Sequence, residues 1–415
     1  MNLQTIAVVG LGYIGLPTAA AIATRGVNVI GVDSCAPTVE AVNRGQVPFA
    51  EPDLAVAVGG AVARGHLSAQ SKMPEADVFI IAVPTPFTDK HEADLTFVQE
   101  AAEAVAPMLK VGDVVILEST SPPGATRKVS GWLSSSRPDL KFPTDGLGRP
   151  DVFVAHCPER VLPGRIMIEI VTNDRVVGGL TSESGERAAE VYRIFCQGDI
   201  AVTDADSAEM AKLVENAFRD VNIAFANEIS LICDQLNLDV WEVIQMANKH
   251  PRVNILSPGP GVGGHCIAVD PWFIVGAAPQ RARLIRMARE VNDAKPRQVV
   301  EQVVERAQRI VDPIIACLGL TFKANVDDLR ESPALQIVTE LTSVLPNARI
   351  LAVEPHVSEL PPHLSGRENI ELVDAPIAIE KADIVLLLVG HAEFRAIRRT
   401  TLHGKILFDT LGFWG

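Results

Sequence analysis

Cys266 lies in the segment of this chain that is most typical of covalent chemistry. It ends the run GPGVGGHC, whose glycines can let the backbone approach a bound molecule closely. A thiol in such a loop can be exposed and activated by a neighbouring cation, and the thiolate is then a strong nucleophile. His265 is its chain neighbour, but the sequence does not say whether the ring faces the sulfur. A small buried cysteine in a turn is the alternative.

A glycine pattern near the N-terminus indicates a phosphate-binding turn. Gly10, Gly12 and Gly15 form GLGYIG between a predicted strand and a predicted helix, and Asp33 ends the next strand eighteen positions later. These glycines permit a tight turn, close approach of a pyrophosphate and close packing of helix on strand. Asp33 would accept hydrogen bonds from a ribose and repel the extra phosphate of NADP, so the pattern predicts NAD. Turn glycines with a solvated aspartate are the alternative.

Three polar residues share one face of a long predicted helix. Lys212, Asn216 and Arg219 are spaced i, i+4 and i+7, which directs two cations and an amide the same way. Such a face could bind an anionic or hydroxyl-rich ligand. An ordinary solvated stripe is the alternative.

Four further polar residues follow predicted strands in LESTSPPG and HCPERVLPG. They are Glu118, Thr120, Glu159 and Arg160. Ligands of open parallel sheets bind outside the carboxyl ends of the strands, where these residues would lie. Glu159 is the expected base, although each of the four could instead be a turn residue or a helix cap.

The last third of the chain has its own polar segment, TFKANVDDLRESPA, between a strand and a helix. It carries Lys323, Asp327, Asp328 and Arg330 and no GxGxxG pattern, so a second dinucleotide is not predicted. Basic side chains there suit phosphates or sugar hydroxyls. A solvated polar loop is the alternative.

The elements that position these residues predict an α/β protein of three domains. Apolar strands alternate with helices over residues 1–203, which indicates a doubly wound, Rossmann-like domain. Residues 204–311 are mainly helical and contain the glycine-rich segment before Cys266. Strands return over residues 312–415, which predicts a smaller Rossmann-like α/β domain.

Composition narrows the function further. The 415 residues are 47% apolar and 21% charged, with a net charge of −14, which disfavours nucleic acid and anionic lipid as partners. The six scattered cysteines show no CxxC pair, so neither a disulfide framework nor a metal site is expected. No apolar run reaches membrane-spanning length, and the N-terminal residues lack a secretion signal. We therefore expect a cytoplasmic protein.

Seven segments together resemble the UDP-glucose/GDP-mannose dehydrogenase family. They are GLGYIGLPTA, AVPTP, ESTSPPG, CPERVLPG, KLVENAFRDVNIAFANE, GPGVGGHCIAVDPWF and GLTFKANVDDLRESPA. The resemblance implies NAD contacts at Tyr13, Ile14, Asp33, Thr85 and Thr126. It implies reacting-centre roles for Cys266, Lys212, Glu159, Asn216 and Asp270, and we group Thr120 with them. It implies nucleotide-sugar contacts at Arg160, Val161, Lys212, Asn216, Arg219, His250, Arg252, Gly263 and Lys323, and a homodimer joined through the central helices.

The implied reaction is the four-electron oxidation of a primary alcohol to a carboxylate. Cys266 would carry a thiohemiacetal and then a thioester, and no metal is required. Within the family, the resemblance of these motifs favours UDP-N-acetylmannosamine as the substrate, with UDP-glucose, UDP-N-acetylglucosamine and GDP-mannose as alternatives. A single-step hydroxyacid dehydrogenase, which needs no thiol, and a non-catalytic NAD-binding redox sensor are the rival functions.

Leu411 departs from the family pattern. Members commonly carry Lys or Arg at this position, just before the glycine of FDTLGFW, where it helps bind the anionic substrate. Either one cation is missing from the pocket, or Leu411 simply packs against Phe413 or Trp414.

Overall fold

The computed structural model describes residues 4–49, 51–88, 92–143, 149–264 and 266–414. The chain divides into two compact units, Met1–Glu215 and Asn216–Gly415. No helix in the described part of the chain is both long and apolar enough to cross a membrane.

The first unit is built on an eight-stranded sheet. Its strands are β1 (Thr5–Val9), β2 (Asn28–Val32), β3 (Leu67–Gln70), β4 (Val78–Ile81), β5 (Val114–Leu117), β6 (Phe153–His156), β7 (Arg175–Gly179) and β8 (Ile200–Asp204). Their order is β3-β2-β1-β4-β5-β6-β7-β8. Neighbouring strands are parallel except β6 and β7, which pair antiparallel over two residue pairs. Since β2 and β4 flank β1, strand order reverses at β1, and ligands of such sheets bind at this point.

Helices cover both faces of this sheet. They are α1 (Gly15–Ala23), α2 (Ala36–Asn43), α3 (Leu54–Ala63), α4 (Thr96–Val105), α5 (Ala125–Ser136), α6 (Ile166–Thr172) and α7 (Ser182–Tyr192). The central strands are buried on both faces and are therefore apolar almost throughout, as in the wholly buried β4 (VFII) and β5 (VVIL). Two apolar clusters, one on each face, form the core. The helix α8 (Ala205–Leu236) begins in the first unit and ends in the second.

The second unit contains the remaining helices and a smaller sheet. Its helices are α9 (Val240–Ala247), α10 (Asp270–Ala277), α11 (Arg283–Ala307), α12 (Pro333–Val344), α13 (Pro362–Ser365) and α14 (Ala375–Lys381). Its strands are β9 (Ile314–Leu318), β10 (Arg349–Val353), β11 (Ile370–Leu372), β12 (Ile384–Leu387) and β13 (Ile406–Asp409). All pair parallel in the order β11-β10-β9-β12-β13. Order reverses at β9, so this sheet also has a ligand-binding edge.

The predicted fold class is confirmed, with four local differences. The sequence did not single out the strands β3, β8 and β11, which are short or partly exposed. The antiparallel pair interrupts a sheet that we expected to be wholly parallel.

Pro296 lies inside α11, although proline disfavours helix interiors. A Cβ on Gly261 would meet Pro296 at 3.1 Å, so Pro296 is packed in place, which helps offset the lost backbone hydrogen bond. Asp204 caps the first turn of α8: its Oδ1 accepts from the Ser207 N–H at 2.8 Å.

Candidate active site

The GLGYIG turn has the geometry that a dinucleotide phosphate requires. Gly10 has φ +93°, and a Cβ on it would lie 2.5 Å from the Ala82 carbonyl oxygen. A Cβ on Gly15 would lie 1.9 Å from the Gly10 oxygen, so both positions exclude side chains. A Cβ on Gly12 would meet nothing within 4 Å, which leaves this backbone open to a ligand. The turn thus fits the pyrophosphate of NAD.

Asp33 lies at the end of β2 and faces the same turn. One carboxylate oxygen accepts from the Leu11 N–H and the other from the Cys35 N–H, both at 2.8 Å. Each oxygen keeps a lone pair for a ribose hydroxyl. Tyr13 stacks on Phe49 with ring centroids 4.2 Å apart.

The remaining expected cofactor residues lie in one loop and at the starts of two helices. Ile14 occupies the N-cap position of α1. The Thr85 hydroxyl donates to the Thr120 carbonyl at 2.7 Å, so the structure brings these two residues together. Thr126 is fully buried, and both its backbone N–H and its hydroxyl donate to Glu209. Burial raises the pKa of Glu209 to about 7.

Glu159 follows β6 and is held by a buried cation. Its Oε2 accepts from the Arg175 guanidinium at 3.2 Å, and its Oε1 accepts from the Arg160 N–H at 2.5 Å. Glu118 lies 3.9 Å from the same guanidinium and is completely buried. Burial, together with the nearby Glu159 carboxylate, raises the pKa of Glu118 to about 8. Of the two carboxyl groups, Glu159 makes the closer contact with Arg175.

Two of the expected nucleotide-sugar residues of the first unit are already engaged by the protein. Arg160 pairs with Glu215 at 2.6 Å and donates to the Asp174 carbonyl at 3.0 Å. Val161 is half-buried and packs against the core. Arg160 would have to share its guanidinium with Glu215 to bind a phosphate.

Cys266 is exposed and lies four residues before Asp270, the first residue of α10. Its carbonyl accepts from the Asp270 N–H at 2.9 Å. The buried Asp270 carboxylate accepts from the Asn216 amide at 2.5 Å, so these two predicted residues meet. Residues 256–264 have no regular secondary structure, and His265 lies outside the described residues.

The glycines before Cys266 are packed against the segment that carries Lys323. A Cβ on Gly263 would lie 2.3 Å from the Glu331 carbonyl oxygen, and one on Gly264 would lie 2.8 Å from the Phe322 ring. Lys323 itself is half-buried, and its carbonyl accepts from the Thr321 hydroxyl at 2.9 Å. Two sequence segments far apart in the chain thus form one packed surface within the second unit.

The other residues predicted to bind the nucleotide sugar are partly or largely exposed. Lys212 is half-buried, whereas Arg219, His250 and Arg252 are exposed. The Arg252 N–H donates to His250 Nδ1 at 3.4 Å. All three helix residues, Lys212, Asn216 and Arg219, lie on α8 as predicted.

Leu411 is half-buried in an apolar cluster with Phe413 and Trp414. A Cβ on Gly259 would lie 3.8 Å from a Leu411 methyl group, so the side chain also borders the glycine-rich segment. The packing alternative for this position is therefore the one supported by the contacts.

Among the described residues, one cluster could approach metal-ligand spacing: His356, His391 and Glu393. His391 is an unsuitable ligand, because both of its ring nitrogens are engaged. Nδ1 accepts from the Asn325 N–H at 3.0 Å, and Nε2 lies 3.1 Å from Glu354. His391 instead stabilises the segment that carries Lys323, through its contact with Asn325.

Three sequence profiles of one family match the chain in order. They are the NAD binding domain of the UDP-glucose/GDP-mannose dehydrogenase family at residues 4–196, its central domain at 206–294 and its UDP binding domain at 316–415. The chain belongs to this family. It is an NAD-dependent nucleotide-sugar dehydrogenase, so the predicted family and the predicted cofactor are both confirmed.

Individual relatives extend over the whole chain. An NDP-N-acetyl-D-galactosaminuronic acid dehydrogenase of Ralstonia nicotianae is 55% identical, covering 100% of this chain and 97% of that protein. A UDP-N-acetyl-D-mannosamine dehydrogenase of Escherichia coli K12 is 52% identical, covering 100% of both chains. The solved structure of the UDP-N-acetyl-mannosamine dehydrogenase Cap5O of Staphylococcus aureus is similar with a TM-score of 0.85 and 41% identity, covering 99% and 95%.

Several supporting residues of this dehydrogenase escaped the sequence analysis. Arg175, Glu209 and Asn227 are buried polar side chains that contact segments far away in the chain. The Asn227 amide oxygen accepts from the Gly259 N–H at 2.9 Å. A possible signal was available for Glu209 and Asn227, since each stands among apolar residues of α8, but the sequence could not identify their partners.

Proposed function

We propose that this dehydrogenase oxidises the C6 primary alcohol of a UDP-linked N-acetylhexosamine to a carboxylate, with Cys266 as the covalent nucleophile. UDP-N-acetyl-D-mannosamine is the proposed substrate. The observation that supports this most is the exposed Cys266, whose backbone carbonyl accepts from the N–H of Asp270, the partner of Asn216 in a buried pair at the start of α10. The names of two relatives above 50% identity, both of which refer to N-acetylated sugars, support the substrate class.

The chemistry of Cys266 follows from the need for two oxidations at one carbon. NAD, when bound, supplies the hydride acceptor for each. Attack of Sγ on the aldehyde carbon forms a C–S bond and a thiohemiacetal, which again has a hydride to lose. Its oxidation leaves a thioester, and water then cleaves the C–S bond, releasing the carboxylate and restoring the thiol.

The remaining roles come from the family resemblance and are part of the proposal. Lys212 serves as proton donor or acceptor and stabilises the developing oxyanion, Asn216 orients it, and Glu159 assists the hydrolytic water. The carboxylate of Glu159 is suited to this role because Arg175 and the Arg160 N–H fix its orientation. Lys323 contributes a cation toward the nucleotide.

The first test is stoichiometric. We expect two NADH for each uronate formed from UDP-N-acetylmannosamine, measured by absorbance and by chromatography of the product. Cys266→Ser should lose steady-state turnover and accumulate an ester, since an alkoxide is a poorer leaving group than a thiolate. Cys196→Ser is the matched control, because its side chain donates only to backbone carbonyls and serine can do the same.

Three outcomes would contradict the proposal. One NADH per product would rule out the thioester route, and full activity of Cys266→Ser would rule out the nucleophile. Turnover of UDP-glucose or GDP-mannose with none of the N-acetylated nucleotides would overturn the substrate class. An N-acetylgalactosamine nucleotide belongs in the same panel, because the relative at 55% identity is named for that sugar acid.

A further inference from the structure

Glu209 is a fully buried carboxylate in the second turn of α8, and it accepts three hydrogen bonds. The Gly124 N–H donates to Oε2 at 2.6 Å. The Thr126 N–H and the Thr126 hydroxyl donate to Oε1 at 2.7 Å and 2.6 Å. All these atoms lie within the first unit.

The donors belong to the N-terminus of α5, where backbone N–H groups have no partner within the helix. An N-cap side chain normally accepts from them, but the N-cap residue here is Gly124, at φ +91°. Glu209 supplies the missing acceptor from another helix. The carboxylate is therefore the cap of a helix to which it does not belong.

The turn that leads into α5 lies at the sheet edge where dinucleotides bind in doubly wound folds. It follows β5, at the sheet edge that also carries the GLGYIG turn. Its Thr120 carbonyl is held by the Thr85 hydroxyl, and its far end is held by Glu209. Thr126 has no exposed surface, and its hydroxyl hydrogen is already donated to Glu209, so its side chain does not face a ligand.

We propose that Glu209 is a positioning residue for NAD binding, which holds the turn between β5 and α5 in its binding geometry, and that Thr126 acts through this carboxylate rather than by touching the cofactor. Lys212 follows Glu209 by three residues on α8, so the same contact ties this turn to the helix of the proposed proton-transfer residue. The inference rests on the NAD binding of the family and, for Lys212 alone, on the proposed function.

The experiment measures NADH affinity by fluorescence titration without any sugar nucleotide. Glu209→Gln places an amide NH₂ against one of two backbone N–H donors, so one of the three hydrogen bonds becomes a donor–donor clash. We expect the Kd for NADH to rise about tenfold, a change of roughly 1.4 kcal/mol. Amide hydrogen exchange at residues 124–126 should become faster, while the Michaelis constant for the sugar nucleotide stays the same.

Two further variants separate this role from general destabilisation. Asp206→Asn removes the Arg127–Asp206 pair, which joins the same two helices at the surface, and should leave the Kd within twofold of wild type. Thr126→Val removes one hydroxyl donor at nearly constant shape and should weaken NADH binding severalfold. In the double variant Glu209→Gln/Thr126→Val the two effects should not multiply, because both act on one contact.

Unchanged NADH affinity in Glu209→Gln would overturn the proposal. So would multiplicative effects in the double variant, since Thr126 would then reach the cofactor independently of Glu209. If Glu209→Gln does not fold, Thr126→Val alone decides: wild-type affinity and wild-type exchange at residue 124 would refute the role of Glu209. The NADH titrations and the hydrogen-exchange measurements need no turnover, so they remain informative even if the thioester mechanism fails.

Discussion

The buried Arg175 guanidinium lies close to two carboxyl groups, those of Glu159 and Glu118, which differ in how closely they contact it. Its guanidinium is 4% exposed and also stacks over the Tyr192 ring, 4.8 Å from the centroid. Glu159 makes the closer contact with Arg175, and Glu118 accepts from the Thr18 and Tyr192 hydroxyls. Arg175 thereby orients Glu159, whereas burial and the nearby Glu159 carboxylate favour the neutral form of Glu118.

Replacing Glu118 by Gln should change how the stability of the protein depends on pH. Burial raises the pKa of Glu118 from 4.5 to about 8. The folded state therefore keeps a proton that the unfolded chain releases near pH 4.5, and stability falls as the pH rises from there to about 8. Glutamine has no proton to lose, so Glu118→Gln should melt near the wild-type temperature at pH 5 and a few degrees above it at pH 8.

Glu186→Gln is the control for this melting series. Glu186 is exposed and pairs with Arg193 at 3.6 Å, so its replacement should give a difference that does not change with pH. A Glu118→Gln variant with the same melting difference at every pH would show that Glu118 is already ionised in the folded protein.

The glycine-rich segment before Cys266 is fixed from the side by a helix. Asn227 of α8 accepts from the Gly259 N–H, and its amide donates to Asn292 of α11 at 2.9 Å. Asn292 in turn donates to the Asp220 carboxylate at 2.8 Å. A buried polar network in two helices thus ends on the loop that carries the nucleophile.

Asn227→Ala should therefore reduce turnover through loop position. The change leaves the Gly259 N–H and the Asn292 carbonyl oxygen without partners, at a cost of about 1–3 kcal/mol each. A displaced Cys266 should lower kcat by about tenfold or more, since small misplacements of reacting groups are costly. Titration with NADH should show wild-type affinity.

The control is Asn222→Ala, on the same helix. Asn222 donates only to the Phe218 carbonyl of its own helix, so kcat should change by less than a factor of about two. Equal losses in the two variants would mean that helix stability, rather than the contact with Gly259, sets the position of the loop.

The sequence predicted regular elements and glycine turns better than it predicted side-chain partners. Apolar runs and the GLGYIG pattern are local signals, and the strands that they predicted are present. A local signal can also fail: proline disfavours helix interiors, yet Pro296 lies inside α11 and packs beside Gly261, which is distant in the chain. Thr126 was given an NAD contact by resemblance, but its three-dimensional partner, Glu209, is 83 residues away. Such pairings depend on topology, and spacing in the sequence does not contain them.

A row of large apolar side chains on α8 is exposed in the single chain. Phe218, Phe225 and Ile232 are 68%, 53% and 43% exposed, and their seven-residue spacing places them on one side of the helix. Contiguous apolar surface of this kind marks interaction sites. It supports the proposal that the molecule is a homodimer joined through its central helices.

Phe225→Lys should convert the proposed dimer to a monomer. A charge placed in the middle of an apolar interface loses its hydration without gaining a partner, which opposes association. Sedimentation velocity would measure the change. Val311→Lys is the control, because Val311 is 90% exposed and lies outside this row, so the variant should sediment like wild type. A monomeric wild type, or a dimeric Phe225→Lys, would refute the interface.

The contact of Gly263 and Gly264 with Glu331 and Phe322 limits how such enzymes can be recombined. A chimera that takes residues up to about 311 from one relative and the remainder from another would place the glycines of one parent against the Phe322 ring of the other. The two surfaces would then not be matched in shape. A crossover near residue 215, where the first compact unit ends, would keep both partners from one parent. Exchanging the second unit intact would therefore transfer the substrate-binding residues of that unit without disturbing the loop of the nucleophile.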